Sequence, residues 1–242
     1  MDKVSVVMTT YNSAEHIRTT LESVREQDYP SVEVTVCDGG STDGTLDVLR
    51  EYEKLPGMEL HWKSEPDRGL YDAMNKGYGM STGEIVVFFN DVYCRKDAIR
   101  LCVEAMQAQG CDGAHADLVY AEGDRVIRRW KMGEGSIAQG WMPGHPTLFL
   151  RREVYEKYGL YHTDYRGSAD YEFMVRILKD GNVRLAYVPE TIVSMYYGGV
   201  STKGLGGYLI SLREGHRALK ENGVKGAFLI DLKRTLRVLR QF

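Results

Sequence analysis

Two adjacent polar residues, Asn90 and Asp91, directly follow a run of five apolar residues at 85–89. Three residues of that run are β-branched, which favours a strand covered on both faces. Open α/β sheets bind ligands outside the carboxyl ends of their strands, and a carboxylate there can hold a divalent cation through its oxygens. The same pair also favours a simple turn, so the rest of the chain must decide between the two interpretations.

A second candidate is the loop 38–44, Asp-Gly-Gly-Ser-Thr-Asp-Gly, which follows an apolar strand predicted at 32–37. Asp38 could accept hydrogen bonds from a uracil N–H or a sugar hydroxyl, and the glycines would let the backbone approach a ligand. Asp-Gly-Gly is also a generic turn sequence. The chain contains neither a GxGxxG fingerprint nor a GxxxxGK[ST] phosphate loop.

The elements that must position these residues alternate regularly. Strands are predicted at 4–8, 32–37, 59–63 and 85–89, and helices at 14–26, 45–53 and 70–79. Strand–helix alternation with short loops is typical of a parallel sheet with right-handed crossovers. We therefore predict that the first 90 or so residues form a nucleotide-binding half-domain, with Ser13 capping its first helix.

After Asp91 the pattern is less regular. Helices are predicted at 96–109, 153–158 and 169–180, and strands at 114–120, 125–130, 147–150, 183–188 and 192–196. Ser168 is a candidate cap for the helix that begins at 169. The aperiodic segment 133–143 predicts a loop able to move over a site. Two terminal helices, at 205–221 and 225–240, complete one α/β domain with a helical tail.

The composition bears on partners and compartment. A net charge of −3 gives no reason to expect a nucleic acid partner. The four cysteines show neither CxxC pairing nor ligand spacing with histidine, which suits a reducing compartment. A strand pattern that starts at Val4 leaves no room for a signal peptide, and no apolar run approaches membrane-spanning length. We therefore expect a cytoplasmic protein.

Six segments occur in order along the chain: VSVVMTTYN, VEVTVCDGGSTDGT, EPDRGLYDAMNKG, STGEIVVFFND, GHPTLFLRR and GSADYEFMVR. As a set, spanning roughly residues 3–204, they resemble the family 2 inverting glycosyltransferases of the GT-A fold. The YDAMNKG run is most similar to bacterial enzymes that build surface polysaccharides. The resemblance implies an α/β fold with a Rossmann-like, mostly parallel sheet and flanking helices. It divides the chain into a glycosyltransferase domain at 1–204, with a nucleotide-binding half at 1–92 and an acceptor half at 93–204, and a helical extension at 205–242.

Glycosyl transfer needs a neutralised diphosphate leaving group and a base for the acceptor hydroxyl. The resemblance implies that Asp170 is that base, although the residue alone would more simply cap its helix. Asp91 matches the last acidic residue of the family's metal motif, which implies Mn²⁺ or Mg²⁺. His145, ahead of Pro146, matches a position that lines the acceptor side, with metal ligation as the alternative.

The other implied site residues bind the donor, for which a UDP-sugar is favoured. Asp38 would hold the nucleotide base, Asp67 and Arg68 would close over the nucleotide, and Arg68 could offer a fork of donors to a phosphate. The implied donor-binding set is Thr10, Tyr11, Asn12, Asp38, Asp67, Arg68, Asp72, Asn75 and Asn90, and Lys203 is a further candidate contact.

Two departures from the family pattern concern the metal and the diphosphate. The segment FFNDVY is two residues shorter than the usual motif, so Asn90 directly precedes Asp91. Adjacent strand residues point to opposite faces, so both can bind one metal only if the chain turns there. Metal binding could be weaker, could depend mostly on Asp91 and the diphosphate, or could be lost. Met74 stands where many relatives have arginine, which shifts the diphosphate contact to Arg68, Lys76 or Lys203.

The terminal helix carries leucines and an isoleucine among five basic residues between 225 and 240. A basic amphipathic helix can lie on an anionic membrane, where lipid-linked acceptors reside. Packing on the domain and a dimer contact are equally good explanations.

The sequence therefore predicts an inverting glycosyltransferase that moves a sugar from a nucleoside diphosphate sugar to a hydroxyl of a glycan or lipid-linked acceptor in cell-envelope polysaccharide biosynthesis. The alternative is a catalytically silent relative that binds nucleotide or glycan. A nucleotidyltransferase would carry a basic, glycine-rich phosphate loop after the first strand, where this chain has Thr9-Thr10-Tyr11-Asn12.

Overall fold

Nine strands and eight helices are present in the computed structural model, which describes residues 1–123, 125–196 and 204–239. The strands are β1 Val4–Thr10, β2 Val32–Asp38, β3 Glu59–Ser64, β4 Ile85–Phe88, β5 Val92–Tyr93, β6 Gly113–Glu122, β7 Arg125–Trp130, β8 Phe149–Arg151 and β9 Leu185–Tyr196. The helices are α1 Ala14–Arg25, α2 Thr45–Tyr52, α3 Leu70–Met80, α4 Ala98–Gln109, α5 Arg152–Tyr158, α6 Ala169–Leu178, α7 Gly204–Glu221 and α8 Ala227–Leu239. Short 3-10 turns lie at Ile137–Gln139 and His145–Thr147.

One sheet joins all nine strands, in the order β3-β2-β1-β4-β8-β6-β9-β5 with β7 beside β6. Its first four strands are parallel, and Val4 is in register with both Val32 and Ile85. The carboxyl ends of β1, β2 and β4 therefore meet at one edge. The α/β fold predicted from the strand–helix alternation is confirmed.

The second half of the sheet is mixed. Strand β8 is antiparallel to β4 and β6, whereas β6 and β9 are parallel. The two strands predicted at 183–188 and 192–196 are one strand, β9, in which Val188 pairs with Ala116 and Thr191 with Asp117. Two residues of β9, Pro189 and Glu190, are thus skipped in the pairing, and proline has no N–H to offer a ladder. The prediction of two strands was wrong because a bulge, not a loop, accommodates the proline.

The central strands are buried on both faces. On one face, Val4, Val6 and Met8 of β1 pack with buried side chains of α1, α2 and α4. On the other, Val7 of β1 packs with buried side chains of α3, α5 and α6. Each fully buried large apolar side chain contributes about 1.5–3 kcal/mol, so this double packing fixes the strands whose ends carry the candidate site.

The two predicted cap residues, Ser13 and Ser168, stand at the N-cap positions of α1 and α6, but neither makes a side-chain capping hydrogen bond to its helix. The Asp43 carboxylate instead accepts from the Ala14 N–H, at 3.0 Å, across the loop that follows β2. Because an ionised carboxylate is a stronger acceptor than a hydroxyl, this contact supplies the cap and ties α1 to that loop.

The terminal helices pack on the domain. Helix α7 lies against α6, and α8 lies against α7 and the turn Ile137–Gln139. Lys233 donates to the carbonyl of Ala138 at 3.0 Å and Arg237 donates to that of Gln139 at 3.2 Å. The opposite side of α8 exposes four large apolar side chains, Phe228, Leu229, Leu232 and Leu236. Packing on the domain, one of three alternatives for this helix, therefore accounts for its basic side and not for its apolar side.

Among the residues that the structure describes, every helix is too short or too polar to cross a lipid bilayer.

Candidate active site

Asp38, the last residue of β2, is completely buried. Its two oxygens accept five hydrogen bonds, from Thr10 Oγ1, Ser64 Oγ, Gly40 N–H and both the N–H and Oγ of Ser41. Burial alone would raise the pKa of this carboxyl, but the hydrogen bonds outweigh it and hold the pKa below its ordinary value. Two carboxylate oxygens offer about four lone-pair sites, so the predicted contact between Asp38 and a base has no acceptor left. Asp38 instead holds its own loop in shape.

The segment after β1 is tied to the same loop. Asn12 has a positive φ of 48°, a conformation that asparagine tolerates better than most residues. Its N–H donates to Ser41 Oγ at 2.7 Å and its Oδ1 accepts from the Thr42 N–H at 2.9 Å. Thr10 and Asn12 therefore shape the loop, whereas the side chain of Tyr11 is 66% exposed and makes no hydrogen bond within the described residues.

The segment before α3 presents an arginine. Arg68 donates to Asp72 from both its backbone N–H and its guanidinium, at 3.1 and 2.9 Å. These hydrogen bonds lower the pKa of Asp72 to about 2. Asp72 is buried and engaged, whereas the Arg68 side chain is 81% exposed. Lys76 is occupied by the Pro66 carbonyl, at 3.0 Å, and by carboxylates. Arg68 is thus the most exposed cation of this segment.

Two further donor-side positions face the protein. Asn75 exchanges hydrogen bonds with the backbone of Tyr161, at 2.9 and 3.1 Å, and so fixes the loop before α6. Met74 is buried in the apolar core. An arginine at position 74 would therefore not reach the site without rearrangement. Lys203 lies outside the described residues.

Asp91 differs from the other acidic residues of this edge. It is partly buried, and loss of hydration raises its pKa to about 7, opposed by one hydrogen bond from the backbone of Tyr196. Within the described ranges it forms no ion pair. Asn90 is already engaged, because its amide exchanges two hydrogen bonds of 2.9 Å with Thr9. A desolvated carboxylate without a counter-charge fits a cation, so Asp91 is a suitable single protein ligand for a divalent metal.

Asp170 lies in the first turn of α6 and contacts the aromatic side chain of Tyr71. Tyr71 Oη donates to Asp170 Oδ1 at 3.1 Å, which joins α6 to α3. His145 Nε2 and Tyr161 Oη are 2.8 Å apart. Burial lowers the pKa of His145 below 6.5, with the charge of Asp170 acting in the opposite direction, so the imidazole is neutral near pH 7. A neutral imidazole is compatible with both predicted roles of His145, lining the acceptor side and metal ligation.

Three functional candidates were missed from the sequence. Tyr71 contacts Asp170 directly. Burial raises the pKa of Tyr120 on β6, and the negative charges of Asp91 and Asp170 add to that rise, so Tyr120 lies near both carboxylates. The Arg128 guanidinium lies over the Tyr120 ring, 4.7 Å from its centroid, and brings positive charge to the same region. Tyr71 belongs to the YDAMNKG run and could have been chosen from it, whereas Tyr120 and Arg128 carry no local signal.

A cavity of about 420 Å³ opens between the start of α3 and the loop before α6, a volume within the range of small-molecule sites. Its lining includes Arg68, Asp72 and Tyr71 on one side and Tyr165 and Arg166 on the other. Tyr71 lines this cavity together with Arg68 and also donates a hydrogen bond to Asp170, which does not itself line the cavity.

A second acidic group lies at the opposite edge of the sheet. Oxygens of Glu33 and Glu59 and a nitrogen of His61 lie within 4.8 Å of one another, close enough to hold a metal ion. The Lys3 ammonium is already there, 2.9 Å from Glu33 and 2.6 Å from Glu59. Although burial opposes it, Lys3 helps to hold the pKa of Glu33 at about 2. This group sits at the amino ends of the strands, away from the ligand edge, and its cation is a lysine.

Comparisons with known proteins find one matching family model and several similar glycosyltransferases. The model of the family described as glycosyl transferase family 2 matches residues 5–171. A PGL/p-HBAD biosynthesis glycosyltransferase of Mycobacterium tuberculosis is 29% identical over 208 residues, which cover 81% of this chain and 78% of the relative.

Two solved structures share the fold. S. aureus TarS 1–349 in complex with UDP-GlcNAc superposes with a TM-score of 0.75 at 19% identity, over 97% of this chain and 72% of that one. The mannosyltransferase PcManGT from Pyrobaculum calidifontis, in complex with GDP-Man and Mn²⁺, gives 0.67 at 21% identity, over 99% and 74%. The GT-A architecture expected from the motifs is confirmed.

Proposed function

The chain belongs to glycosyl transferase family 2, and on that premise we propose that it transfers a sugar from a nucleoside diphosphate sugar to a hydroxyl of a glycan or lipid-linked acceptor. The acceptor oxygen bonds to C1 of the sugar while the bond from C1 to the diphosphate oxygen breaks. The nucleoside diphosphate leaves with that electron pair, the acceptor proton passes to a carboxylate, and attack from the opposite face inverts C1. The relative named for PGL/p-HBAD biosynthesis supports a role in cell-envelope or glycan biosynthesis.

The position of Asp170 is the observation that carries this proposal. Asp170 is in the first turn of α6, and a carboxylate there can accept the proton of an acceptor hydroxyl. Tyr71 donates to one of its oxygens and leaves the other available. Asp170 is the catalytic base, Tyr71 positions it, and the neutral His145 lines the acceptor side.

The donor occupies the edge formed by β1, β2 and β4. Arg68 binds the diphosphate, supported by the cavity that it lines, and Tyr11 contacts the nucleoside. The loops held by Asp38, Asn12 and Asn75 shape this pocket. We favour a UDP-sugar, since the TarS complex holds UDP-GlcNAc in the same fold.

A divalent cation, Mn²⁺ or Mg²⁺, fits beside Asp91, whose carboxylate has no counter-charge within the described residues. When bound, such a cation would neutralise charge on the leaving diphosphate. PcManGT was solved with Mn²⁺, which supports the proposal. Asn90, whose amide is engaged with Thr9, holds the end of β4 rather than the cation.

The domain organisation follows from the same assignment. Residues 1–92 supply the donor contacts and residues 93–204 supply Asp170 and His145, with 205–242 as a helical extension. The exposed apolar side of α8 supports contact with a cytoplasmic membrane surface or with a second copy of the chain. Sedimentation with anionic vesicles and light scattering of the free protein distinguish these two partners.

Calorimetric titration with UDP, GDP and dTDP, each with and without Mn²⁺, tests donor binding. We expect one nucleotide to bind and Mn²⁺ to strengthen it. Absence of binding by all three would overturn the proposal.

The test of catalysis is Asp170→Asn, assayed by hydrolysis of the preferred donor and by transfer to an acceptor. Loss of a general base should lower the rate about 10²–10⁴-fold, with nucleotide affinity unchanged. Asp180→Asn, at an exposed carboxylate beyond the same helix, is the matched control. Nucleotide binding by a wild-type protein that neither hydrolyses nor transfers would instead establish the catalytically silent relative.

A further inference from the structure

The exposed ring of Tyr11 and the carboxylate of Asp67 both lie next to Gly39. A Cβ placed on Gly39 would lie 3.4 Å from Tyr11 Cδ2 and only 2.6 Å from Asp67 Oδ2. Gly39 therefore has both a tyrosine ring and a carboxylate as close neighbours. The space that a side chain at position 39 would need is filled by the acidic group from the start of α3.

Asp67 is held with one oxygen free. Its Oδ1 accepts from the Gly69 N–H at 2.7 Å, which fixes the orientation of the carboxylate. Within the part of the chain that the structure describes, Oδ2 accepts no hydrogen bond and meets no cation. By contrast, Asp38 accepts five hydrogen bonds and is completely buried. Asp67 thus has the acceptor capacity that Asp38 lacks.

We propose that Asp67 recognises the nucleobase of the donor by accepting a hydrogen bond from a ring N–H, while the Tyr11 ring stacks on the base. This inference rests on the proposed function and names the base chemistry of that site. Uracil presents such a donor at N3 and guanine presents one at N1. Cytosine presents a lone pair at N3, which a carboxylate repels, so the site discriminates against cytidine nucleotides. Stacking on an aromatic ring adds affinity without choosing among bases.

The absence of a side chain at Gly39 leaves room for the Asp67 carboxylate beside the proposed base site. Any side chain at position 39 would collide with Asp67 Oδ2 at 2.6 Å, so the chain can place a carboxylate on one element or the other and not on both. Because Gly39 and Asp67 compete for one space, substitutions at the two positions are coupled.

The experiment is titration of the full chain with UDP, GDP and CDP, for the wild type and four variants. Asp67→Asn keeps Oδ1 as an acceptor for Gly69 and replaces the free oxygen with an amide donor. We expect the wild type to bind UDP or GDP about tenfold or more tightly than CDP. Asp67→Asn should remove that preference, with weaker binding of the preferred nucleotide and stronger binding of CDP. Gly39→Ala should weaken the preference in the same direction.

The double variant Gly39→Asp with Asp67→Gly moves the carboxylate to the other element and should restore the preference. Asp47→Asn, at an exposed carboxylate of α2, is the matched control and should change nothing. A wild type that prefers CDP, or an Asp67→Asn variant that keeps the original ratio, would overturn this inference and leave the proposed function intact. Failure of UDP, GDP and dTDP alike to bind the wild type, the outcome that overturns the proposed function, would overturn both.

Discussion

Two carboxylates stand at the carboxyl ends of strands on either side of β1, and their surroundings are opposite. Asp38, after β2, accepts five hydrogen bonds, and its pKa lies below the ordinary value. Asp91, after β4, has one hydrogen bond from a backbone group, and its pKa is raised to about 7. Both residues follow an apolar strand and precede a turn, so the sequence offers little to tell them apart.

The difference shows where the protein stabilises its fold and where it leaves room for a ligand. A buried carboxylate whose lone pairs are all engaged contributes to stability and has nothing to offer a substrate. A desolvated carboxylate with a single partner costs stability until a cation or proton arrives. On this comparison Asp38 stabilises its own loop, whereas Asp91 has no charged partner among the described residues.

The largest effect on stability is expected at Asp38. Asp38→Asn places an amide donor where Gly40 N–H, Ser41 N–H and Ser64 Oγ now donate. Unfolding in urea at pH 7 should show a loss of about 2–4 kcal/mol, because buried donors lose their acceptor. Since the pKa of Asp38 is lowered in the folded state, its contribution is present at neutral pH and is lost as the pH falls below about 4.

A control variant and a contrary result test the contrast between Asp38 and Asp91. Asp47→Asn, at an exposed site, should change the free energy of unfolding by less than about 0.5 kcal/mol. An Asp38→Asn protein of wild-type stability that no longer distinguishes among nucleotides would show that Asp38 contacts the base after all.

A smaller effect of opposite sign is expected at Asp91. Its pKa rises from 3.8 to about 7 on folding, so the folded state binds the proton more tightly than the unfolded chain. In metal-free buffer, wild-type stability should therefore decrease as the pH rises from about 4 to 7. Asp91→Asn removes this charge and should lack that decrease. The shift corresponds to at most about 4 kcal/mol, and because Asp91 is only partly buried, solvent screening reduces the expected gain over wild type to about 1–2 kcal/mol at pH 8.

The same variant tests the metal. Mn²⁺ should strengthen nucleotide binding by the wild type and not by Asp91→Asn. If Mn²⁺ strengthens both equally, the cation is held elsewhere, and Asp91 is no longer the functional member of the comparison.

The parallel half of the fold could be predicted from periodicity, because strands buried on both faces are continuously apolar and their helices alternate with them. The order β8-β6-β9 could not, since those pairings join distant segments and leave no local pattern. Pro189 illustrates the limit: its missing N–H predicts an interruption, and only the partner strand decides whether that becomes a loop or a bulge.

The membership of the site was also predictable, although the tasks of its residues were not. The motifs bring Asp38, Asp67, Asp91 and Asp170 to one end of the molecule, but the sequence does not show which oxygens are engaged. That depends on Ser41, Ser64 and Thr10 for Asp38, which come from three separate segments. Hydrogen-bond saturation is a tertiary property, so the sequence could not show that the oxygens of Asp38 are engaged.

The smallest effect on stability is expected at Arg68, whose ion pair has one exposed partner. Arg68 is ion-paired with Asp72, and its side chain is 81% exposed whereas Asp72 is buried. Because solvent screens the exposed partner and Lys76 remains 3.4 Å from Asp72, Arg68→Ala should lower the free energy of unfolding by only about 0.5–1 kcal/mol. Its other guanidinium nitrogens are free to bind a phosphate, so affinity for UDP should decrease about tenfold while affinity for uridine stays the same.

The control for Arg68 is Arg50→Ala, which removes a similar exposed pair with Asp47 on α2 and should alter neither stability nor affinity. Equal losses for uridine and UDP in Arg68→Ala would mean that Arg68 supports the nucleoside pocket instead of the diphosphate. Neutralisation of the diphosphate would then fall to a cation held by Asp91 or to the Arg128 guanidinium.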